Sequence, residues 1–204
     1  FVSICLHLQD RRTIIDVLLN ALSRLEYRGY DSAGLSVDGD REKEALLFKQ
    51  VGKVNALRKH ISESSVDMDR TFVSHAGMAH TRWATHGTPS PLNCHPHKSD
   101  PRGEFTVVHN GIITNYRELR LVLEKRGYKF ETDTDTEAVA VLVKYFWDSY
   151  PENRKPDFHI VVRSAVKELE GAFSFVFKSV HFPGEVVVAR RGSPLLIGWL
   201  LYTS

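Results

Sequence analysis

The residues with the densest chemical potential lie in one run, His80-Thr81-Arg82-Trp83-Ala84-Thr85-His86-Gly87, where six of eight side chains can hydrogen-bond or carry positive charge. Positioned loops are where binding residues concentrate, because rigid elements hold them while leaving them accessible. Arg82 offers a planar donor fork matched to a carboxylate held by two bonds, and Trp83 could wall a pocket. A surface turn with one paired arginine and a half-buried tryptophan would also account for the run. Asn110-Gly111 sets a side-chain amide beside a glycine N–H, two donors that could meet one oxygen as an oxyanion hole requires. The same dipeptide is a common tight turn. Asp135 falls in the first turn of an expected helix, either as a partner for the helix dipole or as a carboxylate receiving the amino group of a small ligand.

Other chemistries are less well served. His86, Cys94, His95 and His97 supply metal-ligating atoms, but none of the usual C-x₂-C or H-x₃₋₅-H spacings, so no metal is expected. Cys94 beside His95 could be drawn as a nucleophile with its base, yet neighbours on extended backbone point apart. No glycine-rich run precedes a helix, so no phosphate cradle is expected. No cofactor is called for.

These residues need elements to hold them. Hydrophobic periodicity predicts a short strand over 2–8 and a helix over 12–27 stopped by Gly29. Strands at 35–37 and 46–48 follow, then a short helix over 54–61 and a strand over 71–80. The proline-rich stretch 82–97 must be loop. A strand over 105–109 is expected to end in an Asn110-Gly111 turn. Asn115 with Glu118, and Thr134 with Glu137, read as capping boxes opening two helices, the first closed by Gly127. A helix over 157–169 ends at Gly171, and strands at 172–180 and 185–190 flank the Pro183-Gly184 turn. An apolar run at 195–201 follows. Without a regular βαβ rhythm, this order predicts an α+β fold of antiparallel sheets with segregated helices.

The whole is consistent with one domain over 1–204, since a chain of 204 residues with 42% hydrophobic content can bury one substantial core. Lys+Arg 27 against Asp+Glu 25 gives no electrostatic footprint for nucleic acid. No run reaches the roughly 20 apolar residues of a membrane span. Two cysteines, Cys5 and Cys94, make no disulfide framework, and no export signal is evident, so a reducing, cytoplasmic setting is expected.

Several segments jointly carry a resemblance: Arg24-Leu25-Glu26-Tyr27-Arg28-Gly29-Tyr30-Asp31-Ser32-Ala33-Gly34, the octapeptide, Asn93-Cys94-His95-Pro96-His97, Val107-Val108-His109-Asn110-Gly111-Ile112-Ile113, Thr134-Asp135-Thr136-Glu137, Leu169-Glu170-Gly171-Ala172 and Arg190-Arg191-Gly192-Ser193-Pro194-Leu195. In this order they resemble the amino-terminal half of glutamine–fructose-6-phosphate amidotransferases of the eukaryotic type. The resemblance implies an N-terminal-nucleophile hydrolase fold, a four-layer αββα sandwich of mostly antiparallel sheets. It further implies that glutamine is hydrolysed and its ammonia passed to fructose 6-phosphate on a separate isomerase domain, forming glucosamine 6-phosphate for amino-sugar synthesis. Carried over by position, Arg82 matches the ligand of the glutamine α-carboxylate and Asp135 that of its α-amine. Asn110 and Gly111 match the oxyanion hole, Trp83, Thr85, His86 and His95 the pocket and its loop, and Arg28 a position beside the nucleophile.

The ends depart from that pattern. The family begins Met-Cys-Gly-Ile-Phe, and aligned on Ile4 the nucleophilic cysteine is replaced by Val2. Cys5 and Ser3 lack the free α-amine that would serve as base. Residues 1–10 and 199–204 are atypical and the isomerase domain is absent, so a truncated chain is expected, with homo-oligomers confined to a full-length protein. Two readings stand: the glutaminase half of a hexosamine-forming enzyme, or an inactive module that binds glutamine.

Overall fold

The computed structural model describes residues 2–5, 8–28, 31–41, 43–82 and 90–196, with 2–5 and 28 by backbone course alone. The chain runs β1 (Val2–Cys5), β2 (Gln9–Asp10), α1 (Arg11–Leu25), β3 (Ser32–Asp38), β4 (Ala45–Val51) and α2 (Val54–Ser62). It continues through β5 (Thr71–Phe72), β6 (His75–Arg82), β7 (His97–Lys98) and β8 (Phe105–Ile113). Helices α3 (Tyr116–Lys125), α4 (Asp135–Asp148) and α5 (Phe158–Lys167) then lead to β9 (Gly171–Ser179) and β10 (Val186–Arg191). Two four-stranded sheets result, ordered β1-β6-β3-β4 and β10-β9-β8-β7, with β2 and β5 forming a separate pair. Neighbouring strands are antiparallel throughout.

Strand alternation decides how the layers stack. In β9, Phe173, Phe175 and Phe177 join the core formed with Val139, Val143, Phe158 and Val162 of α4 and α5. In β3, Ala33, Leu35 and Val37 join a second core with Leu18, Leu22 and Leu57 of α1 and α2. Because successive side chains point to opposite faces, Ser174 and Lys178 are left facing Ser32, Ser36 and Asp38 of the other sheet. The buried Lys178 ammonium pairs with Asp38 across that gap. Each sheet therefore turns its greasy face to helices and its polar face to the other sheet, which is the expected four-layer αββα order.

Local chemistry sets the helix starts. The Asp10 carboxylate caps α1 by accepting from the Thr13 N–H at 2.7 Å. Thr134 caps α4 by accepting from the Glu137 N–H at 3.3 Å. The Glu137 carboxylate does not complete the reciprocal box; it accepts from the Glu131 and Thr132 N–H groups, each at 2.7 Å, and so closes the preceding loop instead.

Three expectations are corrected. The strand predicted over 71–80 is broken between β5 and β6. Asn110-Gly111 is not a turn: β8 runs through it to Ile113, paired with Ser174 and Phe173 of β9. The ladder holds because Gly111 takes φ +130°, a conformation open to glycine, where a β-carbon would overlap the Ala172 carbonyl oxygen. Nor does Asn115 cap α3. Its amide donates to the Glu168 carbonyl at 2.8 Å and accepts from the Glu170 N–H at 3.0 Å, tying the start of α3 to the approach to β9. The apolar run predicted at 195–201 lies largely outside the described residues.

Candidate functional site

Among the described residues, the polar gap between the sheets brings Arg82 and Asn110 together with His80. On β6, His80 and Arg82 are two residues apart and so share the face turned toward the second sheet. His80 Nε2 lies 2.8 Å from Asn110 Oδ1 on β8, joining the sheets at this end. Arg82, at the end of β6, is buried, and its cation bears on His80, His95 and His97 alike. The turn at 90–96 lays His95 over β3, where Gly34 makes room, since a β-carbon there would overlap the His95 carbonyl oxygen. Lys49 of β4 donates to the Leu92 carbonyl at 3.3 Å and tethers the same turn.

His95 is the hub. Its ring stacks on His80 at 4.5 Å and meets His97 edge-on at 4.8 Å. Its Nδ1 accepts from the His109 N–H at 3.2 Å, which leaves that nitrogen no place for a proton. Burial lowers His95 and His97 well below the ordinary imidazole range, with the neighbouring histidines and Arg82 acting in the same direction. Burial likewise holds His80 and His109 at about 4, against the raising influence of Asn110 on the first and Asp135 on the second. The 3.8 Å approach of His109 to Asp135 is thus no ion pair at neutral pH.

Asp135 enters from α4. Its Oδ2 accepts from the Ile113 N–H at 3.0 Å, pinning the helix start to β8 three residues past Asn110. Thr136 donates to Oδ1 at 3.3 Å, and the Thr134 hydroxyl lies 3.4 Å from His97. His80 and Asn110 meet across the sheets, and His95, His109 and Thr136 link on to Asp135, while Arg82 acts on these histidines through its charge. Asn110 and Gly111 are exposed at its mouth. An anionic group at Arg82, a cationic one at Asp135 and a carbonyl at Asn110–Gly111 is the load this arrangement can carry.

Trp83, Thr85 and His86 lie outside the described residues, as does the side chain of Arg28, whose backbone ends a short helical turn. Val2 is described by backbone alone, opposite Met78 in the β1–β6 pairing. Cys94 and His95 do not form a nucleophile–base pair: the Cys94 thiol donates to the Ser90 carbonyl at 3.1 Å while His95 Nδ1 serves His109. Among the described residues, no group of three or more His, Cys, Asp or Glu side chains is placed to hold a metal ion. His80, His109 and Thr136 gain no individual role from sequence reasoning; Thr134 reads only as a helix cap and His97 only as a weighed metal ligand. Only His80 had a usable signal, its two-residue spacing from Arg82 on a predicted strand.

Two solved enzymes share the fold. A glutamine phosphoribosylpyrophosphate amidotransferase from B. subtilis superposes with TM-score 0.63 at 23% identity, over 88% of this chain and 35% of that one. An allosteric regulatory enzyme of purine biosynthesis superposes with TM-score 0.67, also at 23% identity, over 93% of this chain and 36% of the other. Residues 80–193 match the glutamine amidotransferase domain family, and the chain belongs to it. More particular similarity is to glutamine–fructose-6-phosphate aminotransferases (isomerizing). A probable one from Schizosaccharomyces pombe is 54% identical over 190 residues, 93% of this chain and 27% of the relative. One from Saccharomyces cerevisiae is 52% identical over 191 residues, with the same shares. Enzyme 1 of Rattus norvegicus is 53% identical over 198 residues, 93% of this chain and 29% of that protein. The chain thus spans less than a third of the length of these relatives. Among the described residues, no helix is long and apolar enough to cross a membrane.

Proposed function

We propose that this chain is the glutamine-binding half of a glutamine–fructose-6-phosphate aminotransferase. Arg82 takes the α-carboxylate of glutamine and Asp135 its α-ammonium, while Asn110 and the Gly111 N–H receive the side-chain carbonyl oxygen. Fixing both ends of a small amino acid presents its amide in one pose, which is where proximity contributes to rate. The Asn110–Gly111 donors would stabilise the oxyanion formed on attack. Trp83, Thr85, His86, His95 and Arg28 complete the pocket by resemblance. The ammonia released would go to fructose 6-phosphate on an isomerase domain, giving glucosamine 6-phosphate. A cytoplasmic setting and homo-oligomers of the full-length protein belong to the same reading. The observation that supports it is the buried Arg82 on the same strand face as His80, which meets Asn110, with Asp135 fixed to β8 three residues past Asn110.

A second reading, binding without turnover, rests on Val2 alone and is not favoured by the comparisons. The side chain of valine cannot attack an amide, and it stands where the resemblance places the nucleophile. Cys5 does not substitute readily: β1 sets it opposite His75, three residues further from the His80 end, on the order of 10 Å along the strand. Calorimetry and glutamate release together test both readings. Glutamine is expected to bind, and Arg82→Ala to weaken it by about 2 kcal/mol, since a partly desolvated carboxylate loses its charged partner. An unchanged dissociation constant would remove Arg82 from the pocket. No glutamate above background is expected from the chain as written. Turnover abolished by Cys5→Ala would show the alignment on Val2 to be wrong.

A further inference from the structure

The Asn110 amide can serve an oxyanion only if its nitrogen, rather than its oxygen, faces the site. A primary amide is nearly symmetric in shape, so packing alone does not choose between the two orientations. The choice falls to whatever holds the other end of the amide. That partner is His80 Nε2, at 2.8 Å.

The protonation of His80 is readable from its surroundings. Its Nδ1 is buried and meets no hydrogen-bond partner among the described residues. A proton placed there would be an orphaned buried donor, costlier than an orphaned lone pair in a neutral ring. The proton therefore sits on Nε2, the nitrogen that has a partner. Burial keeps the ring neutral at physiological pH, as its lowering to about 4 requires, so a single tautomer is meant. An Nε2–H must face an acceptor, which makes the near atom of Asn110 its oxygen. His95, stacked on the His80 ring at 4.5 Å and itself fixed by the His109 N–H, holds the imidazole plane in place.

We propose that His80, as its Nε2–H tautomer, is a positioning residue that fixes the Asn110 amide with its nitrogen turned outward as a donor to the glutamine carbonyl. This rests on the glutamine-binding reading above. His80 touches no substrate in this role and acts through Asn110 alone.

A double-mutant cycle on glutamine binding separates positioning from mere packing. His80→Leu removes the donor and lets the amide turn over; it is expected to weaken glutamine about tenfold, as loss of one well-aligned hydrogen bond would. His80→Gln returns an N–H near the position of Nε2 and should stay within about threefold of the parent. Asn110→Ala is expected to cost about tenfold by itself, and His80→Leu to cost nothing further in that background. If His80→Leu keeps its full cost when Asn110 is alanine, or if His80→Gln is as poor as His80→Leu, the proposal falls. Imidazole ¹⁵N spectra of the unsubstituted chain provide a readout that needs neither glutamine nor a variant. A protonated Nε2 with a bare Nδ1 supports the proposal, and the opposite tautomer overturns it. Failure of the parent chain to bind glutamine would instead sink the glutamine-binding reading, leaving the spectra to decide the state of His80.

Discussion

Asp135 has one job that the structure shows and a second that the glutamine-binding reading gives it, and the two can be told apart. Oδ2 accepts from the Ile113 N–H at 3.0 Å, a structural bond that pins α4 to β8. Its negative charge is what an α-ammonium would need. Asp135→Asn keeps an acceptor oxygen for Ile113 but removes the charge. Folding stability is then expected to fall by only about 1 kcal/mol, the worth of a weakened neutral hydrogen bond. Glutamine affinity should fall by about 2 kcal/mol, as for a lost charge-assisted bond. Urea denaturation and calorimetry on the same variant decide the matter. A stability loss with unchanged affinity would leave Asp135 as a structural residue alone. At this scale the residue types of Arg82, Asn110 and Asp135 were informative in sequence because few packing roles demand them. His109 and Thr136 were not, since a lone histidine or threonine on a buried face has no distinguishing pattern.

At the scale of elements, the site depends on how closely the 90–96 turn can approach β3. Gly34 permits that approach: a β-carbon would overlap the His95 carbonyl oxygen and lie 2.9 Å from the Phe48 carbonyl oxygen. Both are backbone atoms, so neither can swing aside as a flexible side chain would. Gly34→Ala is therefore expected to destabilise the fold by about 3 kcal/mol through overpacking and to displace His95 from His80. A denaturation midpoint within experimental error of the parent would show that the turn yields. Among the described residues, the helices and most strands, with the N-cap at Thr134, follow from periodicity and capping chemistry. Asn110-Gly111 misled because its turn preference is local, whereas the partners offered by β9 are not. Asn115 misled for the same reason, its amide being taken by backbone more than fifty residues away.

Across the whole molecule several histidines are buried, and pH should reveal it. Burial holds His75, His80 and His109 at about 4 and His95 and His97 well below 6.5. In the unfolded chain each titrates near 6.5. Between about 4 and 6.5 the unfolded state therefore binds more protons, so stability rises with pH across that window and is lost as pH falls. Glu104 adds in the same direction at lower pH: although burial opposes it, bonds from His181 and Lys144 lower its folded pKa, so its contribution is also lost on acidification. A series of urea midpoints at constant salt should fall steeply from pH 7 to pH 5, with a linkage approaching one proton per buried imidazole. A midpoint flat over that range would mean that the folded protein accepts those protons freely.

The sequence by itself determined the antiparallel α+β class and supplied the candidate residues for chemistry. These are set by side-chain type and by periods of two and 3.6, which are local properties. Only the tertiary structure decided that the two polar faces meet, that His80 rather than solvent holds Asn110, and that His95, His97 and His109 are buried beside that junction. Those outcomes rest on desolvation and on contacts between residues far apart in the chain, and neither leaves a mark in local spacing.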